Sequence, residues 1–205
     1  MPRAMPWLPE PPEGTRICLG MDGSETGDWT AIKAETVDGL LVTPRRPGSG
    51  KPTIWNPADH GGRMPRAEVD AAVDFIFDRF DVEKMYCDPP LWDTEIETWA
   101  LRHGEKRVVK WETYRARVMH AELERFLTDL GTGRLRHDGC PLTTSHVRNA
   151  RMAHRKDSTY VLAKPDAARK IDAAVTSVVC HKAASDARMA GWSTTPELPP
   201  LVFGL

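Results

Sequence analysis

No stretch of the 205-residue sequence approaches the ~18 consecutive apolar residues of a membrane-spanning helix. Met1 to Pro12 carries prolines and acids where a secretory signal would carry an apolar core, so the expected setting is the cytosol. Cysteine is scarce: Cys18, Cys87, Cys140 and Cys180 stand singly, without a CxxC pair, which excludes a zinc-ribbon arrangement and a disulfide-stapled scaffold. Reduced and mostly buried thiols are expected. An excess of one charge is also lacking, since 28 Lys plus Arg against 29 Asp plus Glu leave a net charge of −1. That balance argues against a protein that coats nucleic acid through bulk electrostatics. Arg102 to Lys110, Arg115 to Arg125 and Arg148 to Lys156 are locally basic, and solvated helix faces are the ordinary account of such runs. There is no internal repeat and no low-complexity segment. What is present, 40% hydrophobic and 28% charged residues, is the make-up of one or at most two soluble globular domains.

Residues 1–14 hold five prolines and no periodicity, and read as a linker or arm; a domain is expected over 15–188 and a Pro-rich tail over 189–205, with Leu201 to Phe203 as its apolar portion. Ile17 to Met21 and Trp29 to Val37 form a hairpin pattern, and Asp38-Gly39 is a tight-turn dipeptide that leads to a third strand at Leu40 to Thr43. After the Pro/Gly-rich loop from Pro44 to Gly62, Val69, Val73, Ile76, Phe77 and Phe80 recur at helical spacing. Lys84 to Cys87 is a strand stopped by Asp88-Pro89-Pro90; a helix over Trp92 to Leu101, a strand over Arg107 to Trp111 and a helix carrying Met119, Leu123, Phe126, Leu127 and Leu130 follow. A short helix over Thr143 to Met152, an extended piece over Ser158 to Ala163 and a last helix over Asp166 to Ala187 complete the pattern. The class is α/β, with three leading antiparallel strands.

Three acids stand out by position. Asp22 ends the first strand between Gly20 and Gly23, Asp88 ends a later strand, and Asp172 lies about 100° round the last helix from Ile171, at the edge of its apolar stripe. Singly, each has an ordinary account as a turn residue or a salt-bridged surface acid. Together they flank core elements that a mixed sheet brings to one point. Converging carboxylates without adjacent bases repel one another unless cations neutralise them, and oxygen-only ligands suit a hard ion such as Mg²⁺ or Mn²⁺.

The strand-plus-acid start ICLGMDGS, the strand end MYCDPP, and above all RLRHDGCPLTTSHVRNA followed by KPDAARKIDAAV resemble the nuclease domain of the large terminase subunit of tailed bacteriophages. The resemblance runs from about Ile17 to Ala184 and is most specific at His137-Asp138-Gly139, Pro141, Asn149 and Ile171-Asp172-Ala173. It implies an RNase H-like fold, a central mixed sheet with helices on both faces, and a metal-dependent endonuclease that cuts double-stranded phage DNA during genome packaging. It also implies Asp22, Asp88 and Asp172 as an acidic triad for two Mg²⁺ or Mn²⁺ ions, with Asp22 shared and Asp88 and Asp172 each completing one shell. The implied partners are double-stranded DNA, the terminase small subunit, the portal, and an ATPase motor on the same or another chain. The implied location is the cytoplasm of the infected host, not the virion structure and not a membrane. Lys164, Arg148, Arg151 and Arg155 are the candidate phosphate contacts.

The motor motif G-x-x-x-x-G-K-[ST] is missing: Gly48-Ser49-Gly50-Lys51 has Arg45 at the first glycine position and Pro52 at the hydroxyl position, and reads as a flexible loop. His137, His146, Asn149 and His154 share the residue types of a ββα-metal nuclease, but for His137 and Asn149 a loop hydrogen bond and a short-helix cap are the plainer roles. The seven tryptophans, Trp92, Trp99 and Trp111 among them, read as packing residues rather than base-stacking platforms. Two rival readings remain at this stage: a catalytically silent docking module of the packaging motor, and another RNase H-like enzyme such as a junction resolvase.

Overall fold

The computed structural model describes residues 6–193. Three antiparallel strands lead: β1 (Arg16–Asp22), β2 (Thr30–Thr36) and β3 (Leu40–Val42). Gly39 turns the chain between β2 and β3 at φ 82°, a left-handed conformation that side chains resist. The two-residue β4 (Ile54–Trp55) pairs with β2, and a 3-10 turn at Pro57–His60 follows. Next come α1 (Arg66–Arg79), β5 (Asp81–Cys87), α2 (Asp93–His103), β6 (Val108–Lys110), α3 (Ala116–Gly131), β7 (Arg136–His137) and α4 (Pro141–Asn149). The hairpin β8 (Arg151–His154) and β9 (Tyr160–Ala163) leads to α5 (Asp172–Met189). The main sheet has seven strands in the order β6-β5-β1-β2-β3-β7, with β4 also on β2. It is mixed, because β5 runs parallel to β1, β6 to β5 and β7 to β3.

β1 serves two cores because successive side chains point to opposite faces. Ile17, Leu19 and Met21 pack with Val69, Val73 and Ile76 of α1 and with Ile96 and Trp99 of α2. On the other face, Cys18 packs with Val179 and Ala183 of α5. Gly20 takes this contact to its limit: a Cβ there would lie 2.4 Å from the Cys180 backbone nitrogen and 2.7 Å from its Cα. α5 therefore rests on β1 backbone to backbone, helped by its small residues Ala173, Ala174, Ala183, Ala184 and Ala187, all buried.

Two ionisable residues of β2 share that face and are fully buried, Lys33 and Glu35. Lys33 Nζ donates to Thr143 Oγ1 at 3.0 Å and to Thr43 Oγ1, and burial pushes its amine down from the ordinary value. Glu35 accepts from Arg188 at 2.5 Å and pairs at 2.9 Å with His181, whose other ring nitrogen lies 3.1 Å from Asp129. Each charge under α5 thus has a partner, as burial requires.

Several sequence expectations shift. The last helix begins at Asp172 and not at Asp166, because the Asp166 carboxylate accepts from the Ala168 and Arg169 amides and folds residues 166–169 into a local turn. The short helix runs Pro141–Asn149, and Met152 lies in β8. Pro141 suits a first helical turn, while Asn149 is drawn off to the Lys170 carbonyl at 2.9 Å. The described part of the N-terminal arm is fastened down: Trp7 Nε1 donates to Asp138 at 3.0 Å, and Glu10 accepts from Arg79 and from the Arg45 amide, each at 2.7 Å. At the other end Trp192 is buried against the α5 cluster, so packing extends past 15–188 on both sides. Leu201 to Phe203 and the first five residues of the arm lie outside the described residues. Gly48 to Lys51 is an exposed turn closed by a bridge between Arg45 and Pro52. All four cysteines are free and buried, and among the described residues no helix is long and apolar enough to cross a membrane. Trp55, Trp92 and Trp99 are fully buried packing residues.

Gly20→Ala is expected to lower the free energy of unfolding by about 1–3 kcal/mol, since α5 must lift off β1 to admit the methyl group. Gly131→Ala makes the same chemical change in open space and should stay within about 0.5 kcal/mol of the parent or gain slightly. Urea unfolding curves of both variants check this, and equal stabilities would contradict the close approach.

Candidate active site

Alternation along the strands decides where the acids point. Asp22 has the parity of Cys18 and Gly20, and Asp88 that of Tyr86, which packs in the same cluster as Cys18 and Val179. Both carboxylates therefore fall on the α5 side of the sheet. Met21 is in register with Cys87, and the Asp88 amide donates to the Met21 carbonyl at 3.0 Å, so the two acids leave neighbouring strand ends together. Asp172 is the first residue of α5, where the helix dipole favours a negative charge. Asp22 and Asp172 line a cleft of about 420 Å³ with Asp28, Thr113, Leu162, Lys164 and Val175. Asp88 stands at its edge, with Oδ1 accepting from the Thr113 amide at 2.9 Å and Oδ2 from Thr113 Oγ1 at 2.8 Å.

Burial raises the Asp22 carboxyl well above its ordinary value, and the charges of Asp88, Asp172 and Asp28 push it further the same way. Burial raises Asp88 as well, against the two hydrogen bonds from Thr113. Burial likewise raises Asp172, partly offset by its own amide and by the Trp29 amide, which donates to Oδ1 at 3.1 Å. Asp28 behaves differently: burial would raise it, but Lys164 at 2.5 Å and Lys170 at 3.0 Å outweigh this and hold it below the usual range.

The chemistry of the donors fits a hard divalent cation, because the acids facing the cleft offer oxygen only. Asp172 Oδ2 in particular is buried without a hydrogen-bond partner, and unlike Glu122 Oε2, which shares that lack but has Arg125 Nε at 3.2 Å, it joins no basic side chain in an ion pair among the described residues. Asp88 gives both oxygens to Thr113 and Asp172 gives one to Trp29, and among the described residues no three His, Cys, Asp or Glu side chains are gathered into a finished metal cage.

The basic candidates divide. Lys164 lines the acid cleft, and Arg155 lines a smaller neighbouring one that shares Thr113, Leu162 and Val175 with it. Arg148 lines a separate groove with Leu41, Phe126 and Val147, and Arg151 Nη1 donates to the carbonyls of Arg148 and Ala150, each at 2.8 Å, at the end of α4. The histidines do not assemble: His137 Nδ1 accepts from the Gly139 amide at 3.1 Å, a loop hydrogen bond, and His146 Nδ1 accepts from the Ala173 amide at 3.1 Å. Sequence reasoning missed Asp28, Thr113 and Trp29. Asp28 carried a signal, an acid at the far end of the same hairpin turn as Asp22, whereas Trp29 acts through its backbone amide and Thr113 through its amide and hydroxyl alike, contacts to distant acids that side-chain patterns do not reveal.

Two pH dependences follow. Asp22 is raised in the folded state, so its contribution to stability is fully present below pH 3.8 and is lost as pH rises towards the folded value. The melting temperature of Asp22→Asn, measured in EDTA, should match the parent near pH 3.8 and exceed it increasingly at higher pH. His146 is pushed down to about 4 from 6.5 by burial, with Lys170 and Lys33 adding to the shift. Its contribution is present above 6.5 and lost as pH falls towards 4. It amounts to about 3 kcal/mol, and should show as a stability difference between parent and His146→Asn that shrinks between those limits.

No protein-family model matches the chain. Two curated phage proteins do, each called Gene 13 protein, from Mycobacterium phage D29 and Mycobacterium phage L5: they are 33% and 32% identical over 185 residues. The alignments cover 84% of this chain but 30% of either relative, so the chain spans less than a third of their length. Among solved structures, the large terminase nuclease from thermophilic phage G20c superposes with a TM-score of 0.62 at 11% identity, over 87% of this chain and 91% of that one. The same nuclease with bound magnesium gives 0.61 at 10% identity, over 87% and 90%. The HK97 bacteriophage large terminase gives 0.64 at 18% identity, over 88% of this chain and 40% of that one. The fold is thus that of the large terminase nucleases, an RNase H-like α/β fold with a central mixed sheet.

Proposed function

We propose that this chain, built on the fold of the large terminase nucleases, is a divalent-metal-dependent endonuclease that cuts double-stranded DNA during phage genome packaging. What supports the reading is that Asp22 and Asp172 line one cleft, that Asp88 is held beside it by Thr113, and that Asp172 Oδ2 is buried without a hydrogen-bond partner. The magnesium-bound form of the G20c nuclease supports a metal in this fold. Asp22, the most strongly raised of the three, would be the shared ligand of two Mg²⁺ or Mn²⁺ ions, with Asp88 and Asp172 each completing one shell. Ions held there would activate a water and stabilise the charge of an in-line phosphoryl transfer.

The protein's own groups supply orientation. Thr113 fixes Asp88 through two hydrogen bonds, and the Trp29 amide fixes one oxygen of Asp172. Lys164, already held beside the cleft by Asp28, and Arg155 beside the neighbouring one are placed to meet phosphates without reading sequence. Arg148 and Arg151 would extend that contact from the end of α4. On the same reading, a motor segment on this or another chain, the terminase small subunit and the portal are proposed partners of the larger assembly, working in the host cytoplasm.

Supercoiled plasmid should be nicked or linearised with Mn²⁺ or Mg²⁺ and left intact in EDTA. Asp22→Asn should fold and fail to cut. Asp172→Ala should melt no lower than the parent without metal, gain less from added Mn²⁺, and show no cleavage. A folded protein that binds Mn²⁺ without cutting would favour a silent docking module, a preference for branched over linear DNA would favour a junction resolvase, and cleavage in EDTA would falsify the metal reading.

A further inference from the structure

α5 opens without a side-chain cap of its own, since Ile171 holds the cap position and offers no acceptor. The first amides of a helix have no partner within it, and Ala173, the second residue, is fully buried, out of reach of water. The missing acceptor comes from another helix. His146 of α4, itself 2% exposed, receives the Ala173 amide on Nδ1 at 3.1 Å. Its ring stands edge-on to Trp29, with centroids 5.0 Å apart and planes at 62°. Trp29 in turn donates its backbone amide to Asp172 Oδ1 at 3.1 Å. α4 also grips the chain just before α5, where Asn149 Nδ2 donates to the Lys170 carbonyl at 2.9 Å.

We propose that His146 is a positioning residue for Asp172: as a cap supplied from α4 and a wall for Trp29, it fixes the first turn of α5 so that the Asp172 carboxyl stays on the cleft it lines. The inference rests on the reading of Asp172 as a metal ligand and adds to it a supporting residue that touches neither metal nor DNA. A neutral imidazole accepts at Nδ1 only with its proton on Nε2, so the role demands that tautomer. Phenylalanine keeps a ring beside Trp29 and removes the acceptor. Asparagine carries an oxygen on the same Cγ and restores one.

Calorimetric titration of the EDTA-stripped chain with MnCl₂ alone tests the proposal on His146→Phe, His146→Asn and Asp172→Asn. Supporting residues around metal ligands typically change affinity by about 10–100-fold, so His146→Phe should weaken Mn²⁺ binding at least about tenfold and His146→Asn should return it to within about threefold of the parent. A merely structural role would lower the melting temperature of His146→Phe and leave its Mn²⁺ affinity unchanged. If folded His146→Phe binds Mn²⁺ like the parent while Asp172→Asn binds weakly, the positioning role is overturned and the ligand reading stands. If Asp172→Asn binds Mn²⁺ like the parent, both are overturned. Should His146→Phe not fold, the unsubstituted chain decides by NMR: a nitrogen–nitrogen coupling across the hydrogen bond from the Ala173 amide to His146 Nδ1 supports the proposal, and an Nδ1 that carries the proton overturns it.

Discussion

α5 lies on β1 with no side chain between them at Gly20, and the site depends on that contact. A helix held 2.4 Å from where a Cβ would stand cannot slide along the strand or lift from it without losing the packing around it. Because Asp172 is the first residue of that helix and Asp22 the last of that strand, the closeness of two backbones becomes the closeness of two carboxylates. β5 brings the third acid by parallel pairing alone, since Asp88 follows Cys87 as Asp22 follows Met21.

The molecule treats its buried charges in two ways. Away from the cleft each is matched: Lys33 with two threonine hydroxyls, Glu35 with Arg188 and His181, and Asp138 with the amides of Thr43 and Cys140 at 2.6 and 3.0 Å. In the cleft like charges face one another and one oxygen has no partner. Such an arrangement costs stability, and the surrounding packing sustains it. That contrast, drawn within one structure, sets the cleft acids apart from a matched acid such as Asp138 where burial does not, because Asp138 is more deeply buried than Asp172.

Asp28 occupies an intermediate place. It lines the same cleft and adds to the repulsion on Asp22, yet two lysines hold it. Those lysines belong to the segment between β9 and α5, so the ion pairs tie that segment to the loop between β1 and β2 beside the cleft. Lys164 consequently meets the cleft as part of a network and not as a lone surface cation.

The sequence alone determined the features carried by local pattern: three leading strands with the Asp38-Gly39 turn, the alternating helices and strands up to α3, and three acids at element ends. Period-2 and period-3.6 hydrophobicity encode these within a few residues of one another. The resemblance carried by the segments around Asp138 and Asp172 likewise anticipated the RNase H-like fold. Where elements are held by partners distant in the chain, the pattern was silent. β4 and β7 are two residues each, too short for any period, and exist because β2 and β3 present edges to them. The start of α5 was set six residues late by the Asp166 turn, and its cap came from His146, 27 residues earlier in the chain. Only the tertiary structure decided that Thr113 and Trp29 join the acids, and that Gly20 serves a helix, because hydrogen bonds from distant groups and the approach of two backbones leave no mark on hydrophobic periodicity.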